Sequence, residues 1–214
     1  MATSTSDSRP SRGRRTAWRL ALLALIVLSG GNCPNCDGTL RPQYQPRAAR
    51  CATSATTPVH LSIIDQRKRD RVVGVKKNGW NVDSATVYLE HEGGVTQWLH
   101  DAIASELQRA GFSVLGQQDV AHARLHLRAV VREFFAEPKM MWIFGGTNHG
   151  LVLVELQATF TDGSEYARLF KGHETGTYRW ASDSETEAVL LSATQAAFAK
   201  MTRELCNLVT QHGG

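Results

Sequence analysis

Two cysteines with two residues between them, Cys33-Pro-Asn-Cys36, have the spacing of a dithiol redox motif or of half a zinc site. A redox pair should open a helix after a strand, and zinc needs a second ligand pair. This motif instead joins an apolar run to a polar stretch, so neither chemistry is expected. His122 and His126 are four apart like a helical metal pair. They fall in a segment of period two, beside Arg124 and Arg128, whose charge opposes a bound cation, and no metal is expected. His149 and His173 have no carboxylate or cysteine partner recognisable in sequence. Asp65, Arg67 and Asp70 close a strand, where they read either as a polar binding site or as a turn with ion pairs worth about a few tenths of a kcal/mol. No G-x-S-x-G elbow, Walker loop or nucleophile–base arrangement occurs, so the expectation is a non-enzyme without a cofactor.

Cys33 has a different chemistry open to it. Arg9, Arg12, Arg14, Arg15 and Arg19 precede the apolar run Leu20 to Leu28, followed by Ser29-Gly-Gly-Asn-Cys33. A basic segment before a short apolar one is an export signal, and nine apolar residues fall short of the roughly 20 that cross a bilayer as a helix. Leu28-Ser29-Gly30 is the kind of triplet that precedes an acylated cysteine, although Gly31 and Asn32 intervene. Three outcomes compete: acylation of Cys33, ordinary cleavage after Gly31, and an uncleaved short anchor. The first gives a membrane partner through a lipid anchor, periplasm-facing at the outer membrane; the second gives a soluble periplasmic protein.

The net charge of +4 belongs to this leader. The first 32 residues hold five of the 24 basic and one of the 20 acidic side chains, leaving 19 of each. A formally neutral remainder lacks the clustered positive field that phosphate backbones demand, so nucleic acid is excluded as a partner.

The positioning elements divide into a signal peptide (1–32), a flexible tether (33–58) and one α+β domain (59–210). Residues 37–58 lack hydrophobic periodicity and are rich in Pro, Thr, Ala and Arg. As a coil they would span on the order of 25 Å. Cys36 and Cys51 are placed to pair across this tether in an oxidising compartment, and Cys206 reads as a small core residue. Strands are expected at 59–65 and 72–76, a helix from Val95 to Ala110 stopped by Gly111, and strands at 112–115, 123–135, 151–161 and 167–180. Ser184-Glu-Thr-Glu187 matches a capping box opening a helix to about Val209. The order β-β-α-β-β-β-β-α predicts a mostly antiparallel sheet with two helices packed on one face. Trp80, Trp98 and Trp180 are assigned to the core or to helix edges.

In this order the chain resembles the YajG-like bacterial lipoproteins. The likeness is carried by the leader and Pro-containing tether, by Ile64-Asp65-Gln-Arg67, Val73-Gly74-Val75 and Leu107-Gln-Arg-Ala-Gly-Phe112. The long hairpin through Leu127 and Val154, the strand Phe170 to Tyr178 and the C-terminal helix continue it. The resemblance implies a membrane-attached, periplasm-facing domain and no reaction.

The stretch Met140-Met141-Trp142-Ile143-Phe144, between the two long strands, is apolar where a connection should be polar. It reads either as a surface for a protein or lipid partner or as strands continuing to residue 144 over the core. The functional expectation is an accessory or binding subunit of an envelope assembly or transport system. The alternative is a free periplasmic binding module for a small or glycan ligand, with its pocket near Asp65 and Arg67.

Overall fold

The computed structural model describes residues 36–51, 56–69, 71–141, 145–178 and 182–212. All belong to a compact unit that begins at Pro34. In chain order its elements are β1 (Gly38–Leu40), β2 (Pro58–Asp65), β3 (Val72–Lys77), β4 (Asp83–Leu89), α1 (Gly94–Ala110), β5 (Ser113–Leu115), a 3-10 turn (Gln117–His122), β6 (Leu125–Met140), β7 (Gly146–Phe160), β8 (Glu165–Tyr178) and α2 (Asp183–His212). The fold is α+β, as expected.

The sheet is mixed. Its longest ladders, β6 with β7 and β7 with β8, are antiparallel, as is β3 with β4. The expected scheme lacked β1 and β4 and the parallel pairings of β1 with β4, β5 with β2, and both β2 and β3 with β6. β2 and β3 lie end to end along one edge of β6. Val59–Asp65 pairs with Leu125–Val131, and Gly74 and Lys77 pair with Ala136 and Lys139.

The sheet packs its inner face against α1 and α2 around Leu125, Leu127, Ala129, Val131, Val154, Leu156, Phe198 and Met201, all essentially without solvent contact. A bulge between Val131 and Glu133 leaves both Arg132 and Glu133 exposed and returns Phe134 and Ala136 to the core. Phe135 is thereby turned to the outer face, opposite Leu151. α2 approaches β8 so closely that a Cβ on Gly172 would lie 1.8 Å from the Ala193 carbonyl oxygen. Helix α1 ends as expected, with Gly111 at φ 105° and its N–H on the Gln108 and Leu107 carbonyls. The α2 capping box sits two residues before the expected one. The Ser182 hydroxyl accepts the Glu185 N–H at 3.2 Å, and the Glu185 carboxylate accepts the Ser182 N–H at 3.3 Å.

The expected tether is replaced, over residues 38–51, by a strap running along the domain. Leu40 is fully buried and Ala48 nearly so. The Thr39 and Arg41 N–H groups donate to Asp183 and Glu187 at the start of α2. Farther along, the Tyr44 ring packs on Trp98 and Phe198. Glu106, fully buried on α1, accepts the Tyr44 hydroxyl, the Arg47 N–H at 2.8 Å and the Ala48 N–H at 2.7 Å. Burial, and then the Glu106 contact, pushes the Tyr44 phenol far above its ordinary pKa. Cys51 is bonded to Cys206, not to Cys36, so Cys206 is a cross-link rather than a lone core residue. Cys36 is itself disulfide-bonded.

Candidate functional site

Three regions compete for function: the Asp65–Arg67 turn, a cleft on the outer sheet face, and the paired hairpin tips. The turn occupies the gap where the edge of β6 passes from β2 to β3. Gln66 N–H still reaches the Val131 carbonyl, and the chain then leaves the sheet until Val72. The Arg67 guanidinium fills the break. It forms a two-pronged pair with Asp65, at 2.9 and 2.6 Å, and donates to the carbonyls of Val72 at 3.2 Å and Phe134 at 3.3 Å. It also lies 5.8 Å from the Phe134 ring centroid. Both partners of the ion pair are about nine-tenths buried. These contacts commit Arg67 and Asp65 to closing the sheet, while Arg67 also lines a cavity of about 430 Å³ with Lys68, Arg69, Arg132 and Phe135, where a pocket is expected. Asp70 lies outside the described residues.

A second feature, with no counterpart in the sequence reading, is a cleft of about 650 Å³ at the other end of the outer face, lined by His60, Ser62, His126, Arg128, Gln157 and Tyr166 among others. His60 and His126 face each other in register on β2 and β6, ring centroids 5.8 Å apart. His122 ends the 3-10 turn, so it and His126 do not share a strand. Among the described residues no group of three or more His, Cys, Asp or Glu side chains could hold a metal ion. Nearer the middle of the face, Arg132 pairs with Glu155 at 2.7 Å. Hydrogen bonds from Arg132 and Gln157 hold the Glu155 carboxyl below its usual range.

The third region lies where β3 and β6 end together, since Lys77 pairs with Lys139. Strand β6 runs to Met140 and β7 starts at Gly146, so the long hairpin extends well past the expected Phe135 and Leu151. Met140 is half-buried in the strand, and Met141 is 56% exposed. Trp142, Ile143 and Phe144 lie outside the described residues.

Beside this tip stands that of the β3–β4 hairpin. The Asn78 carboxamide oxygen accepts the N–H groups of Trp80 and Val82, and Asn81 takes a left-handed φ of 63°. This ordered turn holds Trp80 70% exposed and Val82 57% exposed. Trp80 is therefore not a core residue, whereas Trp98 is, buried with its indole N–H on the Pro42 carbonyl at 2.7 Å. Trp180 lies outside the described residues, as does Cys33. Tyr178 seals the base of the β6–β7 tip opposite Gly146. Burial, with Glu185 nearby, pushes its phenol up to about 12. Trp80 could have been singled out in sequence as an aromatic within Asn78-Gly-Trp-Asn81, a polar turn. Its alignment with the second tip depends on the parallel pairing of β3 with β6.

No helix among the described residues is long and apolar enough to cross a membrane. No family model matches the chain, and no curated protein resembles it in sequence. Among solved structures, protein XCC0632 from Xanthomonas campestris, of family DUF330, superposes with a TM-score of 0.60 at 9% identity, over 82% of this chain and 98% of that one. An uncharacterized protein superposes with a TM-score of 0.52 at 13% identity, over 79% and 99% of the two chains. A minor lipoprotein from Acinetobacter baumannii aligns at 0.41 and 10% identity, over 72% and 92%. At these identities the shared property is the fold, an α+β domain similar to that of the DUF330 protein.

Proposed function

We propose that this chain is a YajG-like envelope lipoprotein, anchored through Cys33 and facing the periplasm from the outer membrane. It acts as a non-enzymatic accessory or binding subunit of a membrane assembly or transport system. The observation that carries this reading is the division of side chains over the surface. Charged groups singled out for chemistry, Asp65 and Arg67, are consumed in closing the sheet, while Trp80, Val82 and Met141 are displayed to solvent. Such a surface suits binding by burial of apolar area better than it suits proton or group transfer. The export leader and the fold shared with the DUF330 protein are consistent with this role.

The test is the intact mass and detergent partition of the mature protein, wild type against Cys33→Ala. Acylation should add a diacylglyceryl-sized increment that the variant lacks, together with loss of detergent-phase partition. A sulfur that carries the acyl group cannot close a disulfide. With Cys51 on Cys206 and four cysteines in the chain, acylation of Cys33 requires a reduced Cys36 in the mature protein, opposite to the disulfide-bonded Cys36 of the structure, and the same spectrum decides between the two. An unacylated mature chain with every cysteine oxidised contradicts the anchor. The second reading, a soluble module for a small or glycan ligand, is supported by the cleft beneath His60, His126, Arg128 and Gln157, which offers polar groups and two facing imidazole rings together.

A further inference from the structure

The geometry points to a defined docking pose: the end of the domain that carries Trp80, Val82 and Met141 rests in the headgroup layer of the phospholipid bilayer to which the chain is anchored. This rests on the anchored reading and adds the orientation to it. Two independent features meet at that end.

The first is the pair of hairpin tips. Parallel pairing of β3 with β6 sets them side by side, about 5 Å apart at the last paired residues. Among the described residues their large exposed apolar side chains are Trp80, Val82 and Met141, next to the exposed polar Asn81 and Asp83. A tryptophan held out on an ordered turn gains most at a boundary that is apolar on one side and wet on the other. Two of the three neighbouring lysines are paired, Lys76 with Asp183 at 3.0 Å and Lys77 with Glu137 at 2.8 Å, while Lys139 beside them offers a cation to a headgroup phosphate. The main attraction here is apolar burial, since most of the local charge is paired.

The second feature is the point where the chain enters the domain. Strand β4 follows the Trp80 turn and runs away from it, and β1 is parallel to β4, with Gly38 beside Val87. Just before β1, the Asp37 carboxylate accepts the Thr86 N–H at 2.8 Å. The leader therefore joins at the end of the molecule that carries the tips. Because the strap is packed from Gly38 onward, no long tether separates domain and anchor. Cys33 precedes Asp37 by four residues, at most about 14 Å of extended chain. A leash that short brings this end of the domain to the bilayer surface.

The full-length protein should be reconstituted in vesicles of phosphatidylethanolamine and phosphatidylglycerol whose acyl chains are brominated. The emission of Trp80 is taken as wild type minus Trp80→Phe, and a control Ser164→Trp reports the β7–β8 turn at the opposite end of β7. The expected result is a loss of roughly half or more of the Trp80 emission with little change at position 164, since bromine quenches only indoles at lipid depth. Trp80 unquenched in a protein whose mass shows the acyl group would overturn the pose and leave the anchor standing. Quenching of Trp80 in an unacylated protein would support the tip contact and remove the anchor. Equal quenching at both positions, or a Trp80 shielded from bromolipid and from aqueous iodide alike by another protein copy, would each overturn the pose.

Discussion

The strap over residues 38–51 and the hairpin tips at Trp80 and Met141 are both short connecting segments, and they spend their side chains in opposite ways. The strap turns its donors and one aromatic ring inward, onto Glu106, Trp98 and Phe198, and Cys51 ties its end to α2. The tips turn indole, isopropyl and thioether groups outward, and the Asn78 turn that carries Trp80 and Val82 has a hydrogen-bonded backbone nonetheless. Rigidity and exposure are thus separate properties of a loop. The strap stabilises the domain, and the tips are positioned by it without contributing much to it.

Substitutions at the two regions should therefore separate stability from binding. The largest effect is expected at Glu106→Ala, which leaves the Arg47 and Ala48 N–H groups and the Tyr44 hydroxyl buried without an acceptor; equilibrium urea unfolding should show a loss of about 4 kcal/mol. The paired replacement Cys51→Ser with Cys206→Ser should cost about 3 kcal/mol, and reductant should lower the wild-type unfolding midpoint but not that of the variant. Arg67→Met keeps part of the packing on Phe134 but strands Asp65 and two carbonyls, for a cost of about 2 kcal/mol in the same assay with no effect on lipid contact.

Alkaline pH provides a milder probe of the base of the tip. The folded-state pKa of Tyr178 is raised to about 12, so folding favours the neutral phenol. Its contribution is complete below the unfolded value of roughly 10 and is lost as pH rises toward 12. Tyrosinate absorbance and unfolding midpoints between those values should show this, and Tyr178→Phe should flatten the dependence. The smallest stability effect, within about 0.5 kcal/mol, is expected for Trp80→Ser, because the indole is mostly in solvent. The same variant should lose the vesicle contact.

Much of this architecture is visible in periodicity. Helix α1 with its Gly111 stop and the existence of the long β6 and β7 strands follow from spacing alone. The reading fails where one local rule meets another. A bulge shifts the alternation after Val131 and sends Phe135 outward, whereas β4 alternates Ser84, Thr86 and Tyr88 with Ala85, Val87 and Leu89 and is legible by period two, although the expected scheme has no strand there. The strap has no periodicity because it is held by a buried carboxylate and by a cysteine 155 residues away. For the same reason Asp65 and Arg67 resemble a ligand site in sequence: only the parallel pairing of β2 and β3 with β6 creates the gap that they fill.

The contrast between the two regions is tested most directly by hydrogen exchange on the full-length protein, with and without phosphatidylethanolamine and phosphatidylglycerol vesicles. The Arg47, Ala48 and Cys51 amides should exchange equally slowly in both conditions, and the amides of residues 78 and 80–82, already hydrogen-bonded within their turn, should slow further when lipid is present. Strap amides exchanging at unfolded-chain rates, or tip amides indifferent to the bilayer, would contradict a domain held rigid by its strap and seated on a membrane by its tips.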